Sequence, residues 1–191
     1  LFASTSEVYG KNSKIPLCED DEGVVNLQSK RSCYAESKRL AECICYDFGR
    51  IHKMDIKVAR IFNTYGPNMS PSDGRVVNSF IVKALNNKSL KINGQGLQTR
   101  SFCYVDDLIK GMLLLMQSPY NGPFNFGNPI ETRIIDLAHI IMKKINSSSE
   151  IIFDVLDENE PTRRKPSILK AFKKLDWEPT INLDKGLDKT I

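Results

Sequence analysis

Residues 31–42 read RSCYAESKRLAE, and their pattern predicts the start of a helix that continues to about His52. Apolar positions recur along this stretch at helical spacing. Tyr34 and Lys38 are four residues apart, so they lie on one face of the helix. An ammonium group near a phenol favours the phenolate, which makes this pair a candidate for proton transfer. By spacing alone, a surface helix that happens to carry both residues is the better explanation.

Two flanking stretches place this helix between strands of a sheet. Upstream, the apolar residues 1–3 lead into STSEVYG at residues 4–10, which is typical of a strand end followed by a loop. Downstream, DIKVARI at residues 55–61 is rich in β-branched side chains and predicts a strand, with Asn63 and Thr64 after its end. In open α/β sheets, ligands bind at the carboxyl ends of the strands, so we expect both loops at a ligand crevice.

The remainder of the chain alternates between predicted helices and strands. This alternation predicts an α/β fold with a parallel sheet. Asp106 is expected to cap the helix that follows it. Pro179 is expected to stop the last predicted helix, because proline cannot continue one. The predicted helices are 76–86, 107–117, 132–146 and 167–175, and the predicted strands are 89–93, 100–105, 124–127 and 151–156.

Size and composition are those of one ordinary globular domain. The 191 residues suffice for a sizeable core, and the net charge of +4 is too small to indicate nucleic-acid binding. No apolar run approaches the length of a membrane-spanning helix. The five cysteines form no C-x-x-C pair and only two histidines accompany them, so no metal site is expected. Free thiols are typical of a reducing compartment, which predicts a cytoplasmic location.

Taken together, these motifs resemble one enzyme superfamily. STSEVYG at residues 4–10, Y-x-x-x-K at residues 34–38 and ARIFNTYGP at residues 59–67 are similar to the extended short-chain dehydrogenases/reductases that act on nucleotide sugars. DGRVV at residues 73–77 and QTRSF at residues 98–102 are the most specific matches, and they resemble the UDP-glucuronate decarboxylases within that superfamily. The resemblance covers nearly the whole chain.

The resemblance implies a Rossmann-type parallel sheet that binds NAD, joined to a small α/β domain that binds the sugar nucleotide. Residues 1–65 and 100–129 would form the C-terminal part of the Rossmann domain, and residues 66–99 and 130–191 the substrate domain. The sequence contains no G-x-x-G-x-x-G turn, which cradles a dinucleotide pyrophosphate. We therefore expect a fragment without its N-terminal βαβ units, about 90 residues at roughly 30 per unit. A targeting segment in that part is left open.

The resemblance also implies a catalytic group that consists of Thr5, Glu7, Tyr34 and Lys38. The Thr5 hydroxyl can donate and accept, so it would hold a sugar hydroxyl against Tyr34. Glu7 would orient a water or the sugar, or protonate carbon after CO₂ leaves. The alternative for Thr5 is a hydroxyl that satisfies its own backbone. The alternative for Glu7 is a structural salt bridge.

Ligand-binding roles follow from the same resemblance. Arg75 and the backbone N–H groups of the helix that it begins form an anion site. Arg100 is a candidate fork for the diphosphate, because a guanidinium can donate two parallel hydrogen bonds. For Arg163 and Arg164, in PTRRKP at residues 161–166, solvated surface charge is the alternative. The implied NAD contacts are Tyr34, Lys38, Thr64 and Arg75, and the implied sugar-nucleotide contacts are Ser6, Asn63, Arg75, Val76, Arg100, Arg163 and, beside the uracil, Lys91 and Asn93.

The implied activity is the NAD-dependent decarboxylation of UDP-glucuronate to UDP-xylose through a 4-keto intermediate. Ser6 occupies the position where the related dTDP-glucose 4,6-dehydratases have an acid, which favours the decarboxylase. Residues 35–37, AES, stand where decarboxylases usually have DEG and resemble the epimerase and dehydratase pattern. A 4,6-dehydratase, a 4-epimerase and a non-catalytic fragment that binds sugar nucleotides therefore stay open. The resemblance also implies a homodimer that pairs through a four-helix bundle including the Tyr34 helix.

Overall fold

The computed structural model describes residues 1–11, 14–155 and 162–191, which form nine strands and six α-helices. A 3₁₀ turn, Ser6–Tyr9, follows the first strand. None of the helices in these residues is long and apolar enough to cross a membrane. The strands are β1 (Phe2–Thr5), β2 (Lys57–Ile61), β3 (Thr64–Tyr65), β4 (Leu90–Asn93), β5 (Thr99–Ser101), β6 (Cys103–Tyr104), β7 (Gly122–Phe126), β8 (Glu131–Arg133) and β9 (Ile151–Asp154). The helices are α1 (Ser32–His52), α2 (Val76–Leu85), α3 (Val105–Gln117), α4 (Ile134–Ile145), α5 (Leu169–Leu175) and α6 (Leu183–Thr190).

A three-stranded parallel sheet in the order β1-β2-β7 is the frame of the fold. Successive side chains of a strand point to opposite faces of its sheet. Ala59 of β2 packs in one cluster with Leu108 of α3, whereas Arg60 bonds to Glu42 of α1. The helices α1 and α3 therefore cover opposite faces of this sheet. The parallel pairing of the strands confirms the predicted α/β class.

Three smaller sheets and a second core complete the structure. β3 pairs with β6 and β4 with β9, both in parallel, while β5 pairs with β8 antiparallel. Ala171, Leu175 and Trp177, from α5 and its exit, belong to the same buried cluster as Ala59 and Leu108. The division into a Rossmann part and a substrate domain stays a prediction. The second core includes Phe80, Leu90, Leu137, Ile141 and Leu187, which come from α2, β4, α4 and α6.

The predicted elements appear within about two residues of their expected bounds, but two short strands were not predicted. β8 occupies three residues immediately before α4, where the helix was expected to begin at residue 132. Its pairing with β5, in which Thr132 opposes Arg100, holds it extended. β3 is only two residues long, too short for a sequence period to be visible. The last residue of the predicted strand 151–156, Leu156, lies outside the described residues.

Two predicted helix boundaries have a different physical cause. Tyr104 precedes α3 as its N-cap and makes no side-chain capping bond, so the expected capping by Asp106 is wrong. Asp106 lies in the first turn instead, where a carboxylate interacts favourably with the helix dipole. α5 ends at Asp176, which adopts the left-handed conformation with φ 49°, before Pro179 is reached. The proline is therefore not what stops this helix.

A buried ion pair connects α1 to the sheet. Arg60 Nη2 donates to Glu42 Oε2 at 2.8 Å, and Arg60 Nε donates to Oε1 at 3.1 Å. Only 13% of the Arg60 side chain and 6% of the Glu42 side chain are exposed. Ser4 of β1 donates to the same carboxylate, and the Tyr9 hydroxyl accepts from Arg60 and donates to Asn125 of β7. Burial acts to lower the pKa of Arg60, but the hydrogen bonds to Glu42 and Tyr9 outweigh it and leave the pKa above its usual range.

We expect the substitution Glu42→Ala to destabilise the protein by about 3–5 kcal/mol, because it leaves the Arg60 guanidinium buried without its partner. The double variant Glu42→Ala/Arg60→Met should recover part of that loss, since it removes the buried charge as well. The control is Asp47→Ala, which removes an exposed partner of Arg50 on the same helix and should cost at most about 1 kcal/mol.

Urea denaturation followed by circular dichroism gives the free energy of unfolding for all four proteins. Equal losses for Glu42→Ala and Asp47→Ala would show that the buried pair does not fix α1 to the sheet.

Candidate active site

Thr5 and Ser6 lie at the carboxyl end of β1, where the chain enters the 3₁₀ turn. The Oγ1 atom of Thr5 accepts a hydrogen bond from the backbone N–H of Glu7 at 3.2 Å, so Thr5 caps the turn. Both residues are buried, with 7% of Thr5 and 3% of Ser6 exposed. This capping bond is the local backbone role that competes with a catalytic one. It uses only a lone pair of the oxygen, and a hydroxyl that accepts can still donate to a ligand.

Tyr34 and Lys38 lie in the first two turns of α1, on the side next to β1. Lys38 Nζ donates to the carbonyl oxygen of Ala3 at 2.9 Å. The same atom lies 5.9 Å from the centre of the Tyr34 ring. The structure thus confirms that the two side chains are neighbours, as their spacing predicts. Tyr34 is 40% exposed, so its phenol can be reached by a ligand at this edge of the sheet.

Glu7 is held between two arginines from distant parts of the sequence. Arg31, the residue before α1, donates to it as a fork, with Nε to Oε2 at 2.9 Å and Nη2 to Oε1 at 2.6 Å. Arg164 Nη1 lies 4.0 Å from Oε1. The salt bridge considered for Glu7 is therefore present, and its carboxylate lies where two cations converge. The roles of Glu7 and of the other predicted catalytic residues stay predictions.

Asn63 supplies an N–H donor at the carboxyl end of β2. Its backbone carbonyl accepts from the N–H of Cys103 at 2.9 Å, which fixes the residue. Its side-chain Nδ2 is buried and has no hydrogen-bond partner among the described residues. An unpaired buried donor costs about 1–3 kcal/mol, so this amide fits a polar ligand that accepts its hydrogen bond. A sugar nucleotide or a nicotinamide dinucleotide offers such acceptors. Thr64 instead donates its hydroxyl to the carbonyl of Phe62 at 2.9 Å.

Arg75 and Val76 begin α2, as the anion-site prediction requires. Arg75 is the N-cap residue of this helix and Val76 its first residue. The Arg75 guanidinium donates hydrogen bonds to both carboxylate oxygens of Asp73, and the bond from Nη2 to Oδ2 is 2.7 Å long. This hydrogen bond lowers the pKa of Asp73 to about 2 and raises the pKa of Arg75, to which the Tyr34 phenol adds a smaller effect of the same sign. Arg75 therefore lies near Tyr34, with part of its charge balanced by Asp73.

Four of the predicted sugar-nucleotide residues make other contacts in the structure. Lys91 of β4 pairs with Asp154 of β9 at 2.5 Å. Asn93 is exposed at the end of β4, and its carbonyl accepts from Gln98 at 2.8 Å. Arg100 is 8% exposed and donates to the carbonyl of Thr99 at 2.8 Å. Arg163 donates to both carboxylate oxygens of Glu131, with Nε to Oε1 at 2.9 Å. These hydrogen bonds lower the pKa of the Glu131 carboxyl to about 2.

Sequence reasoning missed Arg31, and of the two consecutive arginines it is Arg164 that lies next to Glu7. The substrate role of Arg163 stays a prediction. In an extended segment, adjacent side chains point in opposite directions, so only one of two consecutive arginines can face the site. That alternation was the available signal, but it does not say which of the two faces inward. Pro161, which begins this stretch, lies outside the described residues.

The chain matches known proteins over nearly all its length. The model of the NAD dependent epimerase/dehydratase family matches residues 1–127. UDP-glucuronic acid decarboxylase 1 of Xenopus tropicalis is 47% identical over 191 residues, which are 100% of this chain and 45% of that protein. UDP-glucuronic acid decarboxylase 5 of Arabidopsis thaliana is 46% identical over 187 residues, which are 98% of this chain and 55% of that protein. The chain thus spans about half the length of the curated relatives that it matches.

Solved structures share the fold. The epimerase Mth375 of Methanothermobacter thermautotrophicus superposes with a TM-score of 0.91 at 30% identity, over 98% of this chain and 56% of that one. The UDP-glucuronic acid 4-epimerase of Bacillus cereus, solved in complex with UDP-glucuronic acid and NAD, gives a TM-score of 0.87 at 30% identity, over 98% and 58% of the two chains. These matches confirm the Rossmann-type fold and the resemblance to enzymes of nucleotide sugars.

We expect Arg100→Ala to weaken UDP binding by about 10- to 100-fold in the full-length protein that carries this chain. Hydrogen bonds to a charged group contribute about 1.5–3 kcal/mol, and about 1.4 kcal/mol corresponds to a factor of ten. Arg100→Lys should recover only part of the loss, because an ammonium cannot form the two parallel bonds of a guanidinium. Calorimetric titration with UDP measures all three affinities.

The matched control for this experiment is Arg133→Ala, which removes an exposed arginine of β8 that pairs with Asp136. Thermal unfolding of each variant shows whether the buried Arg100 also supports the fold. An Arg100→Ala variant that binds UDP as tightly as the wild type would make Arg100 a structural residue only.

Proposed function

This chain belongs to the NAD dependent epimerase/dehydratase family, and we propose that the protein carrying it decarboxylates UDP-glucuronate to UDP-xylose with NAD as bound cofactor. The observation that carries the proposal is the meeting of two groups at one sheet edge. Tyr34 and Lys38 form a proton-transfer pair, and Glu7 lies beside two guanidinium groups. The names of the relatives at 46–47% identity support the same reaction.

Tyr34 is proposed to take the proton from the 4-hydroxyl of the sugar. The Lys38 ammonium lies next to the ring, and Thr5 holds the same hydroxyl by donating to it or accepting from it. When bound, NAD supplies the acceptor for the hydride from C4 and later returns it. Tyr34, Lys38, Thr64 and Arg75 are the residues proposed to hold this cofactor.

The 4-ketone turns the C6 carboxylate into that of a β-keto acid, so CO₂ can leave. The bond between C5 and C6 breaks, and its electron pair moves into the ketone to give an enolate. The hydroxyls of Tyr34 and Thr5 are placed to donate to the enolate oxygen, where the negative charge develops. A proton then returns to C5, and the 4-ketone is reduced to the alcohol of UDP-xylose. No step in this sequence calls for a metal ion.

Glu7 and Arg164 are proposed to act at the carboxylate end of the sugar. A substrate carboxylate needs a cation to offset its charge, and Arg164 is one of the two guanidinium groups that converge on Glu7. Glu7, held by the Arg31 fork, can orient the water that protonates C5. Its side chain is 15% exposed, so the carboxylate is accessible but fixed.

The assembly and location are further proposals. A homodimer through α1 is supported by four exposed apolar residues that recur at helical spacing on this helix. A cytoplasmic location is supported by the five cysteines, all of which are free thiols. The four residues on α1 are Leu40, Ile44, Phe48 and Ile51, which are 49% to 72% exposed.

A 4-epimerase is the second candidate function, because residues 35–37 follow the epimerase pattern and the B. cereus epimerase shares the fold. An epimerase forms the same 4-ketone but keeps the carboxylate. Release of CO₂ from UDP-glucuronate therefore separates the two reactions. Formation of a C4 epimer without CO₂ would replace the proposed function by this alternative.

In the full-length protein, Tyr34→Phe should lower turnover of UDP-glucuronate by about 10²–10⁴-fold, the usual contribution of a positioned acid–base group. UDP binding should stay nearly unchanged, because the Tyr34 hydroxyl transfers a proton and contributes little to the affinity for UDP. Trapping of labelled CO₂ and chromatography of the product measure the turnover, and calorimetry measures the binding.

Tyr46→Phe on the same helix is the matched control. The Tyr46 hydroxyl is buried and has no partner among the described residues, so its removal should leave turnover unchanged. Near-normal turnover of Tyr34→Phe would refute the assignment of Tyr34. A wild-type protein that binds UDP but converts no sugar nucleotide would point to a binding role instead.

A further inference from the structure

Arg31 is a cation that contacts both chemistry-bearing side chains of the site. Its Nε and Nη2 atoms donate to the two carboxylate oxygens of Glu7 at 2.9 and 2.6 Å. Its guanidinium carbon lies 5.3 Å from the centre of the Tyr34 ring. The hydrogen bonds to Glu7 raise the pKa of Arg31, and Tyr34 adds a smaller effect of the same sign. One side chain thus links the loop after β1 to the tyrosine of α1.

The exposure of Arg31 argues against a role in stabilising the fold. Its side chain is 70% exposed, whereas that of Arg60 in the buried ion pair is 13% exposed. Exposed ion pairs contribute at most about 1 kcal/mol to stability. Arg31 is also the N-cap residue of α1, but its side chain makes no capping bond. Its placement is therefore better explained by the site than by the helix.

We propose that Arg31 is a positioning residue, which orients the Glu7 carboxylate by its fork. The inference rests on the proposed role of Glu7 and adds a residue to it. A planar guanidinium fixes a carboxylate in two parallel hydrogen bonds, which an ammonium cannot do. Fork and charge are therefore separable by substitution.

The charges around Glu7 set the size of the effect. Glu7 faces Arg31 and Arg164. Removal of Arg31 leaves Glu7 with one of these two cations and without its only fork in the described residues, so the main effect is on the orientation of its carboxylate.

Arg31→Lys and Arg31→Gln in the full-length protein test the two parts. Arg31→Lys keeps the charge but loses the fork, so kcat should fall by up to about 10-fold. Arg31→Gln loses both, so kcat should fall by about 10- to 100-fold, the equivalent of one hydrogen bond to a charged group.

Arg50→Gln is the matched control, because Arg50 is an exposed arginine of α1 that pairs with Asp47. KM for UDP-glucuronate should change little in any variant, since Arg31 acts through Glu7. An Arg31→Gln variant with wild-type kcat, or one whose loss lies in KM alone, would overturn the inference. So would a loss of activity that only follows a lower melting temperature, because that is a structural role.

Product analysis keeps this test separate from that of the proposed function. If the wild type forms a C4 epimer and no CO₂, decarboxylation is refuted. The Arg31 variants are then compared by kcat and KM for epimerisation, where a lower kcat of Arg31→Gln at unchanged KM supports the inference and a wild-type kcat refutes it. If the wild type releases CO₂, the same comparison is made on decarboxylation.

Discussion

The buried ion pair between Arg60 and Glu42 sets the position of α1, and the candidate site depends on that position. Glu42 follows Lys38 by four residues and Tyr34 by eight, so all three lie along one face of the helix. Glu42 accepts from Ser4 and Lys38 donates to Ala3, which are consecutive residues of β1. The pair of bonds fixes both the rotation and the height of α1 over this strand. These bonds place Tyr34 at the carboxyl end of β1, where Thr5 lies.

A second constraint brings distant sequence to the same edge. Residues 162–167 form an extended strap: the carbonyl of Thr162 accepts from Thr99, and both Lys165 and Ser167 bond to the backbone of Leu17. These bonds fix the direction of the strap, so Arg163 turns to Glu131 and Arg164 to Glu7. Glu7 and the two arginines around it therefore come from three separate parts of the chain. Each of these segments is held by backbone or side-chain hydrogen bonds outside the site. The charged groups can therefore be preorganised without a hydrophobic core at the site itself.

Local sequence patterns predicted the features of the fold that depend on interactions within one element. The period of α1, the β-branched run of β2 and the alternation of elements led to the right class, because each signal lies within one element. β8 could not be predicted, because its extended form depends on the partner strand β5. The choice between Arg163 and Arg164 and the burial of Arg100 depend on contacts far away in sequence. The Glu42–Arg60 pair was missed for the same reason: nothing within 18 residues of sequence separation marks the two as partners.

The residues that hold α1 on the sheet differ from those at the ligand edge. Similarity of fold alone therefore does not determine which reaction is catalysed. The Glu42–Arg60 pair is almost fully buried, and residues 6 and 35–37 take no part in it. Exchange of Ser6 for an acid, or of the loop cations around Glu7, alters charge at the ligand edge without touching that pair. One frame can therefore host elimination, epimerisation or decarboxylation. Under the proposed function, the side chains that surround Glu7 would distinguish these reactions, because the substrate carboxylate must either be kept or be allowed to leave.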